Sequence, residues 1–363
     1  MRRRTAPRWA VAVLLLSVSC SVLQSGSASG QVSRTAPPPG VQHGIDTYFT
    51  YHCQAIGQIK RLATTEVDQF KALGANSIGI GFPLFTVSMT SNDVFAWTSC
   101  KGSSMRTPPP WVVAVVVQIA HAAGLKVFLR PLIDQSNLHN FRGRLRPTNV
   151  SLWFAKYFRN LRPYLQMAQR EKVEYFAVQT ELDSLADLSN WTSLIARCKQ
   201  LYSAGRLEVS YSWDTGVKKL LWPSTVFGFD AYPKLPLAGV TTTPNQLRNA
   251  WDYLLLHRPS YRIPQLPAAT ISEIGISAQD GAYAWPASPG VPIHGHPFNQ
   301  HIQANWFTAA CAFMNEHKLR GIYFWGPWLA RNNGLLPTGP DYHHPNNIQP
   351  LGQLAIKKCF TGK

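Results

Sequence analysis

Apolar residues along this chain fall into two alternating periods. Short runs rich in valine, isoleucine and aromatic residues read as buried strands, and most are followed by a longer stretch with apolar positions three and four apart. HGIDTYFTYH (43–52) leads into IKRLATTEVDQFKALGAN (59–76), where Ile59, Leu62, Val67, Phe70 and Leu73 mark one helix face and Gly74 its end. NSIGIGFPLF (76–85) precedes TPPPWVVAVVVQIAHAAG (107–124). LKVFLRPLID (125–134) precedes WFAKYFRNLRPYLQMAQREK (153–172), in which Pro163 predicts a kink or a restart. VEYFAVQTEL (173–182) is the fourth strand, and LEVSYSWD (207–214), VFGFDAYPKL (226–235), AATISEIGIS (268–277) and GIYFWGPWL (321–329) complete eight. Helical stretches NWTSLIARCKQLYSAG, TPNQLRNAWDYLLLH and NQHIQANWFTAACAFMNEHKL separate most of these. Strand–helix alternation predicts parallel pairing, and eight units in 363 residues fit one closed (β/α)8 TIM barrel over residues 43–363 better than an open sheet. The unit between 207 and 226 is short, so its helix is expected to have one or two turns. The second and seventh connections are long and carry Trp97 and Trp285, as loops that shape a cleft would.

The region ahead of the barrel follows another pattern. Residues 1–30 place Arg2, Arg3, Arg4 and Arg8 before a short apolar run (Ala10 to Val18) and then small residues, the layout of a secretory signal peptide. Cleavage is expected near Ala28; a lipidated Cys20 competes, although Ser17 stands where a lipobox usually has leucine. Residues 31–42 read as a Pro-rich linker, and no later segment is apolar for long enough to cross a bilayer. The layout implies a protein that is secreted or held at the cell envelope.

Charge and cysteine content refine that picture. The formal net charge is +17, and because residues 1–30 hold four arginines and no acids, the remainder keeps +13. Such an excess suits an anionic envelope. Basic residues scatter over the predicted helices without aromatic platforms beside them, which argues against nucleic acid as a partner. Cys53, Cys100, Cys198, Cys311 and Cys359 remain after the leader, with no C-x-x-C spacing. Export favours disulfides, and the expected pairs are Cys53–Cys100 and Cys311–Cys359, leaving Cys198 a buried thiol.

In such barrels the reactive groups stand at the C-terminal ends of the strands. That selects Asp46, Arg130, Asp134, Glu181, Asp183, Trp213, Asp214, Asp230, Tyr232, Glu273 and Trp325. Glu181 (in VQTEL) and Glu273 (in ISEIG) end the fourth and seventh strands, which face each other across the mouth. Glycoside hydrolysis needs such a pair: one carboxyl protonated to meet the leaving oxygen, the other ionised to attack or to activate water. Repulsion and partial burial would push the two pKa values apart. Trp213, Tyr232, Trp325 and Trp328 offer flat faces for sugar rings. A plainer reading pairs Glu181 with Arg130 on the neighbouring strand. Asp230 and Asp134 are read as orienting groups rather than reacting ones.

FKALGANSIGI, HAAGLKVFLRP, FAVQTEL, ISEIG and GIYFWGPW together resemble the clan A retaining glycoside hydrolases, and within them glycoside hydrolase family 113, which contains β-mannanases. The resemblance runs from about Gly44 to the C-terminal helix. It implies Glu181 as general acid/base, Glu273 as nucleophile, Tyr232 as the hydrogen-bond partner of the nucleophile and Trp325 as the floor of the subsite holding the sugar to be cleaved. Much of the clan has Asn before the acid/base, where it contacts the sugar 2-hydroxyl; here that residue is Thr180, compatible with the family 113 pattern.

The expected protein is therefore a monomeric glycosidase with a polysaccharide or oligosaccharide substrate, β-mannan leading, and no metal or organic cofactor. Substrate-binding candidates are Tyr232, Trp325, Trp213, Arg130, Thr180, Asp230, Trp328 and Trp97. His294, His296, His343 and His344 lie in Pro/Gly-rich loops without metal-ligand spacing and read as solvated or subsite-lining groups. Two rivals remain at this level: the same machinery with another specificity, acting on an envelope glycan, and a catalytically silent sugar-binding barrel.

Overall fold

The computed structural model describes residues 40–100, 106–135, 140–215, 222, 225–257, 268–287, 294–329 and 335–363. The leader, Cys20 and residues 31–39 of the linker lie outside the described residues, and the expected linker ends early, since Gln42 already belongs to the first strand. Eight strands form a closed parallel barrel in chain order: β1 (Gln42–Tyr48), β2 (Ser77–Thr86), β3 (Lys126–Gln135), β4 (Tyr175–Thr180), β5 (Arg206–Ser212), β6 (Thr225–Asp230), β7 (Ala269–Ile274) and β8 (Gly321–Trp325). The apolar runs are near-continuous because each strand is covered on both sides, by helices outside and by barrel-filling side chains within. Seven α-helices follow among the described residues: α1 (Ile56–Ala72), α2 (Pro110–Ala122), α3 (Val150–Arg170), α4 (Asn190–Leu201), α5 (Pro244–Asp252), α6 (Gln300–Glu316) and α7 (Pro350–Thr361). The short helix expected between β5 and β6 is not found among the described residues, and positions 216–221 and 223–224 fall outside them.

Pro163 does not split α3, which runs unbroken over Val150–Arg170. A proline inside a helix loses a backbone bond and costs about 3 kcal/mol. Burial of Phe158, Leu161, Tyr164, Leu165 and Met167 on one face offsets that cost. Asn149 caps the helix by accepting from the Leu152 amide at 3.0 Å. Disulfides join Cys53 to Cys100 and Cys311 to Cys359, while Cys198 is a buried free thiol. The first ties the β1 loop to the β2–α2 connection, and the second staples α6 to α7. No helix among the described residues is long and apolar enough to cross a membrane.

The barrel interior is unusually polar. Asp46, Ser77, Arg130, Gln179, Glu208, Ser210, Asp230 and Ser272 are all buried. Two glycines make room for this. A Cβ on Gly79 would sit 1.5 Å from Asp46 Oδ1, and one on Gly228 would sit 2.0 Å from Ser272 Oγ and 2.4 Å from Glu208 Oε1. Ser272 donates to Glu208 at 2.6 Å.

Candidate active site

Glu181 is the first residue beyond β4. Its amide donates to the Ser210 carbonyl on β5 at 2.9 Å, and its φ of 52° lies in the left-handed region. For a residue with a Cβ that backbone costs on the order of 1 kcal/mol, and it takes the side chain out of the strand's alternation. Glu273 is aimed by a different device. The β6–β7 register passes from Phe229↔Ile271 to Asp230↔Glu273, and the β7–β8 register from Ile271↔Ile322 to Ile274↔Phe324. The bulge breaks the period of two, so consecutive residues both meet interior groups: Ser272 reaches Glu208, and Glu273 reaches Arg130.

Arg130 is fully buried and serves three strands at once. It donates to Glu273 at 2.7 Å, to Asp46 at 2.8 Å and to both oxygens of Asp230 at 2.8 and 2.9 Å. Ser210 adds a bond to Asp230 at 2.9 Å, and the Tyr232 hydroxyl donates to the other oxygen of Glu273 at 2.7 Å. One guanidinium cannot neutralise three carboxylates in a dry interior. Burial pushes Asp46 up to about 8, against the pull of Arg130 and with help from Glu273 and Glu208. Asp46 Oδ1 also has no hydrogen-bond partner. Burial likewise raises Asp230 well above the usual carboxylate range, against the pull of Arg130 and with help from Glu273 and Glu181. Both acids beneath Glu273 thus favour the protonated form, and Asp46 is the one with an unpartnered oxygen.

The plainer reading, in which Glu181 pairs with Arg130, does not hold. Arg130 sits on the interior side of β3 and reaches across to β1, β6 and β7; Glu181 instead meets Arg142, in a single 3-10 turn (Arg142–Arg144) after β3. Arg142 donates to Glu181 at 2.5 Å, to Asp134 at 2.7 Å and to the Ile133 carbonyl at 3.1 Å. Tyr48 donates to the second oxygen of Asp134. Burial raises Glu181 to about 7, with Arg142 opposing, Glu273 and Asp183 adding, and Arg130 opposing. Sequence reasoning missed Arg142, since a basic residue in the RGRLR run of a loop carries no spacing that marks it.

The other candidates separate into those at the mouth and those beneath it. Trp325 and Trp328 are half-buried and flank Tyr48, with ring centroids at 5.8 and 5.4 Å. Trp328 donates to Thr50 at 2.9 Å. Arg130 and Asp230 are both 0% exposed; Arg130 bonds Glu273 directly, and Asp230 bonds Arg130. Thr180 is 1% exposed and Trp213 7%, close to the 8% of Glu181 and Glu273 themselves. Trp97 stands edge-on to Phe85 at 6.1 Å, and its described contacts do not reach the carboxylates. Two further aromatics in loops after strands, Phe141 and Trp285, are exposed. Phe141 lies beside Arg142 and against Gly143, and Trp285 has the Lys234 ammonium 5.5 Å from its ring centroid.

Among the described residues one group of potential metal ligands comes together, Asp252, Glu316 and His317, on α5, α6 and the end of α6. Arg248 already pairs with Asp252 at 2.5 Å and Glu316 at 2.8 Å, so a cation occupies the centre of that cluster. His344 pairs with Asp341 at 2.9 Å, and His296 lies against Gly281.

The model of Glycoside Hydrolase Family 113 matches residues 59–335. No curated protein sequence matches. Among solved structures, a family 113 β-mannanase from Alicyclobacillus acidocaldarius superposes with a TM-score of 0.70 at 18% identity, covering 89% of this chain and 98% of that one. A second family 113 β-1,4-mannanase gives 0.69 at 15% identity, covering 89% and 99%. A hyperthermophilic endocellulase from Pyrococcus horikoshii gives 0.51 at 12% identity, covering 88% and 92%. At these identities the likeness speaks to the fold, and the family rests on the model match.

Proposed function

From the premise that the chain belongs to glycoside hydrolase family 113, we propose that it cleaves a β-linked, mannan-type polysaccharide or oligosaccharide with retention, using Glu273 as nucleophile and Glu181 as acid/base. The observation that carries this reading is the opposite setting of two carboxyl groups at one end of the barrel. Glu273 accepts from a guanidinium and a phenol, the partners suited to an attacking carboxylate. Glu181 is raised to about 7 by burial, within reach of both protonation states near neutral pH. In the first step Glu273 attacks the anomeric carbon while Glu181 gives its proton to the departing glycosidic oxygen. In the second, Glu181 takes a proton from water, the water oxygen attacks the anomeric carbon, and the ester to Glu273 breaks.

The mannan preference is supported by the two family 113 structures, whose printed activity is β-mannanase. Trp325, Trp328 and Tyr48 supply a ring-stacking wall on the β1–β8 side. Export is supported by two disulfides and by the leader-like residues 1–30. The test is reducing-sugar release by residues 31–363 from mannan, glucomannan, cellulose and xylan, with the anomer of the first product followed by NMR. Release from mannan with the β-anomer appearing first supports the reading. Appearance of the α-anomer, or activity confined to a non-mannan glycan, overturns the corresponding part of it.

A further inference from the structure

Arg142 is tied to the scaffold by bonds that do not involve Glu181. Its Nη2 is held by Asp134, itself fixed by Tyr48, and its Nε by the Ile133 carbonyl. The remaining Nη1 is presented to Glu181 at 2.5 Å. The Arg142 side chain is 17% exposed and that of Glu181 10% exposed, so water screens the pair weakly. A guanidinium fixed in this way keeps its place whether Glu181 carries a proton or not.

We propose that Arg142 is a positioning residue that poises Glu181 between its two duties, holding it as the carboxylate required for the second step. The proposal rests on the acid/base and nucleophile roles given above. The groups that face Glu181 are Arg142 from the β3–α3 turn, Asp183 from beyond β4, Arg130 from β3, Asp230 from β6, Tyr232 from the β6 loop and Glu273 from β7. Burial, Glu273 and Asp183 favour the proton on Glu181; Arg142 is the largest influence against it. In the free enzyme these compete, and the proton needed by the leaving group is retained. Once Glu273 is esterified its charge is gone, while Arg142 remains, so the balance tips toward the carboxylate when a base is needed.

The test uses residues 31–363 with Arg142→Gln and Arg142→Lys, and a dinitrophenyl β-mannooligosaccharide whose leaving group needs no proton. Removing the charge is expected to move the basic limb of kcat/KM on mannan upward by about one to two pH units. With the activated substrate at pH 6, Arg142→Gln should release one equivalent of dinitrophenolate in a burst. Its steady-state kcat and KM should then fall together, because the glycosyl-enzyme waits for a base. Azide, which attacks without general base help, should restore turnover. Arg142→Lys, keeping the charge but not the three-way geometry, should place the limb between wild type and Arg142→Gln. An unmoved limb without a burst, in variants that melt like wild type, would overturn the proposal. Glu181→Ala with azide separates the two levels. If that variant is not rescued, the acid/base reading itself fails; if it is rescued while Arg142→Gln shows neither effect, only the role of Arg142 fails.

Discussion

The two carboxyl groups at the mouth of this barrel are held by opposite means. Glu273 grows out of the interior: a bulge in β7 aims it, Arg130 grips it from below, and the same guanidinium binds Asp46 and Asp230 on other strands. Glu181 is held from the rim, by a left-handed backbone at the end of β4 and an arginine on a 3-10 turn outside the sheet. A group rooted in the core is fixed by many strands together, through bonds that also hold the barrel closed. A group tethered at the rim is fixed by a few local bonds, and its protonation is free to change during turnover. The division matches what the two steps of a double displacement ask of each.

Truncation gives the largest contrast. Glu273→Ala is expected to lower kcat on every substrate by about 10⁴-fold or more, since no other group can form the glycosyl bond. Glu181→Ala should cost about 10²- to 10⁴-fold on mannan but far less in the first step with a dinitrophenyl leaving group, and azide should restore its second step. Steady-state and burst kinetics on both substrates read the difference directly. Equal losses on the two substrates in both variants would erase the distinction between the poles.

A milder change probes the core-rooted pole alone. Tyr232→Phe removes one donor from Glu273 and leaves Arg130 in place. Losing a preorganised donor to a reacting oxygen is expected to reduce kcat by about 10- to 100-fold, with little shift in the basic limb that Glu181 sets near pH 7. A displaced limb would mean that the two groups are less separate than their surroundings suggest.

The parts of this arrangement differ in how far sequence reveals them. All eight strands are legible because strands buried on both faces must be apolar, and Glu181 and Glu273 stand out as acids ending such runs. Both disulfide pairs match the expectation drawn from cysteines that follow the first two strands and sit on the last two helices. What sequence spacing cannot show is reach across a barrel: it suggests the neighbouring strand as the partner of Arg130, whereas the side chain spans the interior to β1, β6 and β7. Arg142 is hidden for a related reason, since a loop position has no period to betray its direction. The bulge at Ser272–Glu273 and the left-handed Glu181 leave no residue signature, for neither site carries a glycine.

The smallest effect tests whether the core-rooted pole titrates with stability rather than with activity. Burial raises Asp46 from 3.8 to about 8, so between those values the folded protein holds a proton that the unfolded chain has released. Stability contributed by that proton is therefore complete below about pH 4 and is lost progressively as the pH rises toward 8. Glu208, raised to about 7, Glu66, raised to about 8, and Asp230, raised well above its usual value, act in the same direction, so the slope of the wild type alone identifies no single group. Asp46→Asn is the neutral shape match: its carbonyl can still accept from Arg130, and its amide replaces the protonated oxygen beside Gly79. It has no proton to lose. Between pH 5 and pH 8 the melting temperature of the variant should gain on that of the wild type by a few °C, while the basic limb of kcat/KM stays where Glu181 sets it. Parallel melting curves across that window would show that Asp46 is ionised throughout. The negative charge that burial disfavours around Arg130 would then have to be balanced from the rim, joining the two poles that the geometry keeps apart.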